Sequence, residues 1–336
     1  MENKKIVFTR ENHAELLIGE YQKPQANEVA VKTVFSTLSC GTEKANIMAD
    51  PSIGGGQPGF FPRQSGYSDA GIVVEVGEQV TDLQVGDRVM VYWGSHSQYN
   101  TVPAERVIKI EDDSMSFQEA ALVFVATFPL AAIRKTHLEL GEPTIVMGQG
   151  LLGQIAIRLL RIAGAMPIIA ADPVKERREA ALQGGADYAL DPTEEGFAEK
   201  VKQLTGGGAK VAIEVTGVGA GLDNVLDCMA RFGRVALLGC TRNPNFTIDY
   251  YHKVHFPGIT LVGAHTLARP ELESYPGYYT HRDDIAAVCR LCSGGRLDLE
   301  CMIKEVYRPE ECTQVYTRLI QDKNFPTVVQ FDWREV

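Results

Sequence analysis

The sequence predicts an α/β chain: a doubly wound parallel sheet of six strands, accompanied by a second, strand-rich domain. Three observations predict it. The 336 residues exceed the ~150 that one domain commonly takes by a factor of about two. Short strand patterns punctuated by Gly and Pro fill the first hundred residues. From Pro143 onward, apolar runs alternate with helical patterns at a nearly constant spacing.

In the first region, Lys5–Thr9, Glu28–Leu38, Gly71–Val76 and Arg88–Tyr92 are rich in Val, Ile, Phe and Thr and read as strands. Asp50–Gly66 holds five Gly and three Pro with no period, so it reads as a long loop of the kind that often borders a site. Ala120–Ile133 is a long uncharged, apolar stretch. It is shorter than the ~20 residues that span a bilayer and contains Pro129, so it reads as a buried helix and predicts no membrane partner.

Beyond Pro143, strand candidates centre near Val146, Ile169, Ala189, Ala212, Ala236 and Leu261, 23, 20, 23, 24 and 25 residues apart. Each interval leaves room for one helix. The first helix carries Leu151, Leu152, Ile155, Leu159 and Ile162 on one apolar stripe. After the sixth strand comes Arg269–Thr280, rich in Pro, Gly and Tyr, then a helix over Asp283–Cys292 and a strand pattern over Phe325–Trp333. That tail is too short for a domain and is expected to pack back onto the N-terminal strands.

Charge narrows the function. With 33 Lys+Arg against 43 Asp+Glu the net charge is −10, and no basic run exceeds Lys4-Lys5 or Arg177-Arg178, which argues against nucleic acid. Met1–Lys5 leads into alternating residues rather than an export signal, and seven cysteines are an odd, scattered set. Reduced thiols in a cytoplasmic protein are the expectation.

The clearest chemistry lies at Thr144–Met147, followed by Gly148-Gln149-Gly150-Leu151-Leu152-Gly153 and an apolar helix, with Asp172 closing the next strand 24 residues after Gly148. A G-x-G-x-x-G between strand and helix, with an acid at the second strand end, is a dinucleotide fingerprint. Gly148 allows the tight turn, Gly150 lets the backbone approach a pyrophosphate, and Gly153 allows close helix packing, while the helix N-terminus offers N–H groups to the phosphates. Asp172 should accept ribose hydroxyls and repel a 2′-phosphate, which favours NAD(H) over NADP(H). Arg177 reads either as a neighbour of the adenine or ribose or as a solvated helix residue.

At these landmarks the chain resembles the medium-chain dehydrogenase/reductase superfamily, in its zinc alcohol, sorbitol and threonine dehydrogenase group. Ser39-Cys40-Gly41-Thr42-Glu43 is similar to that family's Cys-Gly-Thr-Asp segment, and Ala70–Gly77 with Val85-Gly86-Asp87-Arg88-Val89 is similar to the signature of its N-terminal barrel. The resemblance implies a GroES-like β-barrel catalytic domain from residues 1–124 and 267–336, and a Rossmann NAD-binding domain over 125–266. It also implies a cleft where nicotinamide meets substrate, with Thr127 and Leu152 at the nicotinamide ring and Thr216 and Cys240 on loops beside it. Relatives are usually dimers or tetramers, so a homodimer or homotetramer is expected, often pairing through the last strand of the sheet, here Ile259–Ala264.

The departures concern metal. In zinc-dependent relatives the catalytic ion is held by the Cys of the Cys-Gly-Thr segment, a His in Gly-His-Glu, and a Cys, Asp or Glu before the Rossmann domain. Cys40 matches the first. Tyr67 and Ser68 replace the His and Glu, and the third position falls near Val123, in a run without ligand types from Ala120 to Thr136. One thiolate cannot supply three ligands, so no catalytic zinc is expected, although Asp69 shares an extended face with residue 67 and joins Cys40 if the loop rearranges. A structural zinc lobe is missing too, because no Cys lies between Cys40 and Cys228. Cys289-x-x-Cys292, with Cys301 and Cys312, reads as buried thiols. His252, His255 and His265 receive no catalytic role, and Tyr275–Arg282 suits either a hydroxyl-rich ligand or a subunit contact.

Without zinc, Tyr67 is placed to donate a hydrogen bond to the reacting oxygen, with Thr42 as proton relay and Lys44 or the nicotinamide charge lowering the Tyr67 pKa. The alternative is that Tyr67 only fills the space the metal vacates. The expected function is NAD(H)-dependent interconversion of a secondary alcohol (a sugar, polyol or cyclitol) and its ketone. The competing readings are a reductase of a carbonyl or activated double bond and a dinucleotide-binding protein without turnover.

Overall fold

The computed structural model describes residues 1–336, in two compact units: Met1–Val125 with Cys292–Val336, and Ala126–Leu291. The first unit begins with β1 (Glu2–Arg10) and β2 (His13–Glu20), paired antiparallel. β3 (Glu28–Leu38) is its long central strand, and α1 (Cys40–Ile47) starts two residues after β3 ends. The segment 50–66 is not wholly a loop: it contains a 3-10 turn at Pro51–Ile53 and a two-residue strand, β4 (Arg63–Gln64), that pairs with β1. β5 (Ser68–Val76), β6 (Arg88–Tyr92), β7 (Tyr99–Pro103) and β8 (Val107–Lys109) follow.

α2 (Phe117–Lys135) carries the chain out of the first unit. By length and composition it is apolar enough to cross a membrane, but 72% of its most apolar window is buried, as in a core helix. Next come β9 (Thr144–Met147), α3 (Leu151–Ala163), β10 (Ile168–Ala171), α4 (Lys175–Gln183), β11 (Tyr188–Leu190), α5 (Phe197–Thr205), β12 (Ala209–Glu214), α6 (Gly219–Cys228), β13 (Met229–Leu237) and β14 (Thr260–Gly263). All six strands are parallel, in the order β11-β10-β9-β12-β13-β14. Each contains the centre expected from the apolar spacing. Chain order reverses between β9 and β12, which makes this a doubly wound sheet with its switch point there. Ile145, Met147, Ile169, Ala212 and Val235 from the strands meet Val201 and Val225 from the helices in one core.

α7 (His281–Ser293) ends the second unit, and β15 (Glu305–Tyr307), α8 (Cys312–Gln321) and β16 (Val329–Asp332) return to the first. β16 lies antiparallel to β3, pairing Val329 with Leu38 and Asp332 with Phe35, so the tail does pack onto the N-terminal strands. The first unit's main sheet runs β15-β16-β3-β5-β6-β8, with β7 also on β3. Two cores support it, one of Val29, Val31, Val73, Val89, Val91 and Val102, the other of Phe8, Leu38, Tyr316, Phe331 and Trp333.

The compact first unit resumes at Cys292. Residues 267–291 group with the second unit because their polar anchors are there. Arg269, 3% exposed at its side chain, pairs with Asp284 of α7 and donates to the Thr127 carbonyl, while Lys135 donates to the Ala268 and Gly263 carbonyls. Arg134 also pairs with Asp284 and lies over the Tyr279 ring.

Candidate active site

In the second unit the fingerprint residues form the expected turn. Gly148 has φ +96°, which disfavours any side chain, and a Cβ on Gly153 would lie 1.9 Å from the Gly148 carbonyl oxygen, so both positions require glycine. A Cβ on Gly150 would meet nothing within 4 Å, leaving the backbone open where a pyrophosphate approaches. No side chain caps α3, whose apolar face holds the buried Leu151 with Leu152 beside it. Gln149 contributes only backbone: its side chain turns inward to the Val146 carbonyl.

Asp172, 4% exposed, accepts the Gln149 N–H on Oδ2 (2.7 Å) and the Val174 N–H on Oδ1 (2.8 Å). It thus ties the β9 turn to the β10 turn, and each oxygen keeps a lone pair. Arg177 sits 3.9 Å from Asp172 Oδ2. Thr216 packs its Cγ2 where a Gly148 Cβ would be, 3.0 Å away, and Cys240 is an exposed thiol after β13. Thr127 is fully buried at the start of the unit. An open turn, a free helix end and an acid at the second strand end fit a dinucleotide.

In the first unit the turn from β3 into α1 brings Ser39, Cys40, Thr42 and Glu43 together. Ser39 N–H donates to Glu43 Oε1 (2.7 Å) and its carbonyl accepts the Glu43 N–H (2.9 Å), which locks the turn. Tyr67, just before β5, donates its hydroxyl to Ser39 Oγ at 2.5 Å. Its ring meets Trp93 (5.6 Å between centroids) and the edge of Phe124 (6.0 Å), and its carbonyl accepts the Trp93 N–H. Trp93 has φ +58°, a strained backbone for a bulky residue.

Behind this pair lies a buried polar network. Glu43, 1% exposed, accepts the Tyr316 hydroxyl and faces His96 Nε2 at 3.2 Å. His96 Nδ1 meets Ser36 Oγ (2.7 Å), which also accepts the Trp333 indole N–H (2.8 Å). The backbone fixes His96 in place through Ile6 N–H to its carbonyl and its own N–H to Ser65. Asp69 is 2% exposed, and neither carboxyl oxygen has a hydrogen-bond partner. Burial, reinforced by the Glu43 charge, pushes its pKa well above the ordinary carboxylate value and so favours the protonated acid.

Three expectations need correction. The hydroxyl partner of Tyr67 is Ser39, not Thr42, which lies half-buried on α1. Lys44 is not a cation for Tyr67, because its Nζ donates to the Ile320 carbonyl at the end of α8 (3.1 Å). Nor do Cys40 and Asp69 form a ligand pair: Cys40 Sγ faces the Pro326 and Thr327 carbonyls, and no group of three or more His, Cys, Asp or Glu is arranged to hold a metal. The residues at the family's metal position therefore do not fit a catalytic zinc. His252, His255 and His265 are exposed, and Tyr275 and Tyr278 stack on each other in a closed turn.

Sequence reasoning missed His96, Ser39 and Glu214. A lone His or Ser carries no signal of its own. Glu214, ending β12 as Asp172 follows β10, was findable from its place at a strand end.

A fold with a dinucleotide turn in one unit and a turn of hydroxyl, thiol and carboxyl groups in the other defines an alcohol-dehydrogenase-like oxidoreductase. Comparison with known proteins agrees. Residues 25–112 match the alcohol dehydrogenase GroES-like domain and residues 152–276 the zinc-binding dehydrogenase domain. The chain is 30% identical to D-guloside 3-dehydrogenase of Escherichia coli over 326 residues, covering 90% of this chain and 92% of that protein. It is 30% identical to L-threonine 3-dehydrogenase of Pyrococcus horikoshii over 328 residues, 88% of each. An alcohol dehydrogenase from Escherichia coli CFT073, solved with NADH, superposes with a TM-score of 0.84 at 19% identity, covering 98% of this chain and 99% of that one. The chain belongs to the medium-chain, zinc-type dehydrogenase superfamily.

Proposed function

We propose that the protein interconverts a secondary alcohol of the sugar, polyol or cyclitol class and its ketone with NAD(H), and that it does so without a catalytic zinc. The observation that carries this reading is the Tyr67–Ser39 hydroxyl pair at the family's metal position, in a chain whose Asp172 closes the dinucleotide turn. A bound nicotinamide supplies hydride exchange with the substrate carbon. Glycines 148, 150 and 153 with the α3 N-terminus hold the pyrophosphate, and the Asp172 lone pairs accept ribose hydroxyls and repel a 2′-phosphate. On oxidation the alcohol proton leaves along the Tyr67 Oη–Ser39 Oγ pair, each hydroxyl taking one proton as it releases its own and the last proton passing to water. In reduction the same phenol donates to the carbonyl oxygen and polarises it.

The 30% identity to a guloside dehydrogenase supports a carbohydrate-type substrate. Thr260 and Leu261 of the edge strand β14 are exposed, which favours a homodimer or homotetramer paired through that edge. The test is an NAD-linked oxidation screen of sugars and polyols, run with elemental zinc analysis and the Y67F variant. Turnover without stoichiometric zinc and a loss of about 100-fold in kcat/KM for Y67F are expected, the worth of one positioned acid–base group. Wild-type kcat/KM in Y67F would reduce Tyr67 to a space-filler.

A further inference from the structure

The loop after β12 is built around a carboxylate that the glycine turn does not use. Glu214, the last residue of β12, is 3% exposed. Its Oε1 accepts the Thr216 N–H at 2.7 Å and the Thr216 hydroxyl, and both carboxylate oxygens lie 3.2 Å from the Gly217 nitrogen, which donates to them. Its backbone carbonyl accepts the N–H groups of Leu238 (2.9 Å) and Gly239 (2.8 Å), just past β13. One residue thus fastens together the loops that follow two neighbouring strands.

These loops stand at the place where a doubly wound sheet takes its ligand. The chain order reverses between β9 and β12, and the crevice at the carboxyl ends of those strands is the general binding position. The loops leave little slack there. A Cβ on Gly239 would lie 2.3 Å from the Gly217 nitrogen, and one on Gly148 of the opposite wall would lie 3.0 Å from the Thr216 methyl. The Thr216 N–H and hydroxyl converge on Oε1 and the Gly217 N–H is shared between Oε1 and Oε2, a set of donors that suits a carboxylate. A glutamine presents its own N–H₂ donors to part of that set.

We propose that Glu214 is a positioning residue for the nicotinamide half of the dinucleotide, an inference that rests on the cofactor reading above. The sheet divides into two mononucleotide-binding halves. β9 to β11, with Asp172, take the AMP half, whereas β12 to β14, whose loops Glu214 fastens, take the nicotinamide half. A merely structural glutamate would weaken both halves together.

The test is titration of wild type, E214Q and T216A with NADH by fluorescence and with AMP by calorimetry, beside thermal melts. For E214Q the NADH Kd should rise about tenfold, the equivalent of one lost charge-assisted hydrogen bond, with the AMP Kd within about twofold of wild type. T216A should show the same split at about threefold, and it carries the test if E214Q fails to melt cooperatively. Equal losses for NADH and AMP, or no loss for NADH, overturn the proposal. A wild type that binds neither nucleotide overturns the cofactor reading and this inference with it, whereas tight wild-type NADH binding that E214Q retains overturns the Glu214 role alone.

Discussion

The glycine turn of the second unit and the hydroxyl pair of the first prepare for their ligands by opposite means. The turn works through backbone: Gly148 and Gly153 permit close approach, Gln149 and Val174 lend their N–H groups to Asp172, and all of these lie within 27 residues. The first-unit site works through side chains drawn from far apart, with Tyr67 reaching Ser39 across 28 residues and Tyr316 reaching Glu43 across 273. Backbone sites tolerate almost no added volume but are indifferent to most neighbouring side chains. Side-chain networks can be rewired, provided every buried donor finds an acceptor.

Substitutions that add bulk to one region and remove charge from the other sharpen this contrast. The largest effect is expected for G153V, whose Cβ has no room beside the Gly148 carbonyl. NADH affinity should fall by more than about 100-fold and the melting temperature should drop, since overpacked backbone contacts rank among the severe lesions. A valine variant that binds NADH like wild type would break the claim that the turn tolerates no volume.

D69N should act in the opposite sense. Asp69 has a raised pKa in the fold, so the native state holds a proton that the unfolded chain releases, and stability falls as pH climbs from the unfolded value near ~3.9 toward the native one. The asparagine removes that titration. D69N should therefore gain on wild type as the pH rises above the unfolded carboxylate value, a widening difference read by urea denaturation at stepped pH. A difference that stays flat with pH would mean that the carboxyl is ionised and has found a partner.

The smallest effect is expected for K44A. With its Nζ on the Ile320 carbonyl, Lys44 supports α8 rather than Tyr67. Turnover should stay within about twofold of wild type, with a stability loss of no more than about 1 kcal/mol. A tenfold fall in kcat/KM would return the lysine to the proton chemistry.

These contrasts also explain what was legible in the chain before its fold was known. All six strands of the doubly wound sheet, the glycine turn and Asp172 follow from spacing, because parallel strands with one helix between them impose a period and a phosphate-binding turn imposes glycines at set intervals. Cys40 and Tyr67 were legible only as positions in a family pattern. His96 was not legible at all: its partners Ser36 and Glu43 lie 60 and 53 residues away and meet it only once β1, β3 and the segment after β6 are assembled. The grouping of residues 267–291 with the second unit was not legible for a related reason. Nothing local in Arg269 or Asp284 says that the two will pair, nor that Arg269 will reach back 142 residues to Thr127.

The position of β16 has a consequence for how the molecule is made. The second unit is one continuous stretch, 126–291, and all its strands are synthesised before β16. The first unit is different: β16 lies between β15 and β3, and Trp333 is fully buried in the core beneath. Its central sheet cannot close until residue 332 has been synthesised: β7 covers that edge of β3 only at Glu28–Lys32, so the Phe35–Leu38 stretch waits unpaired through the production of almost three hundred residues. The nascent chain thus carries a finished nucleotide-binding unit beside an open β-edge, and that edge is where a chaperone or a misplaced strand would first engage it.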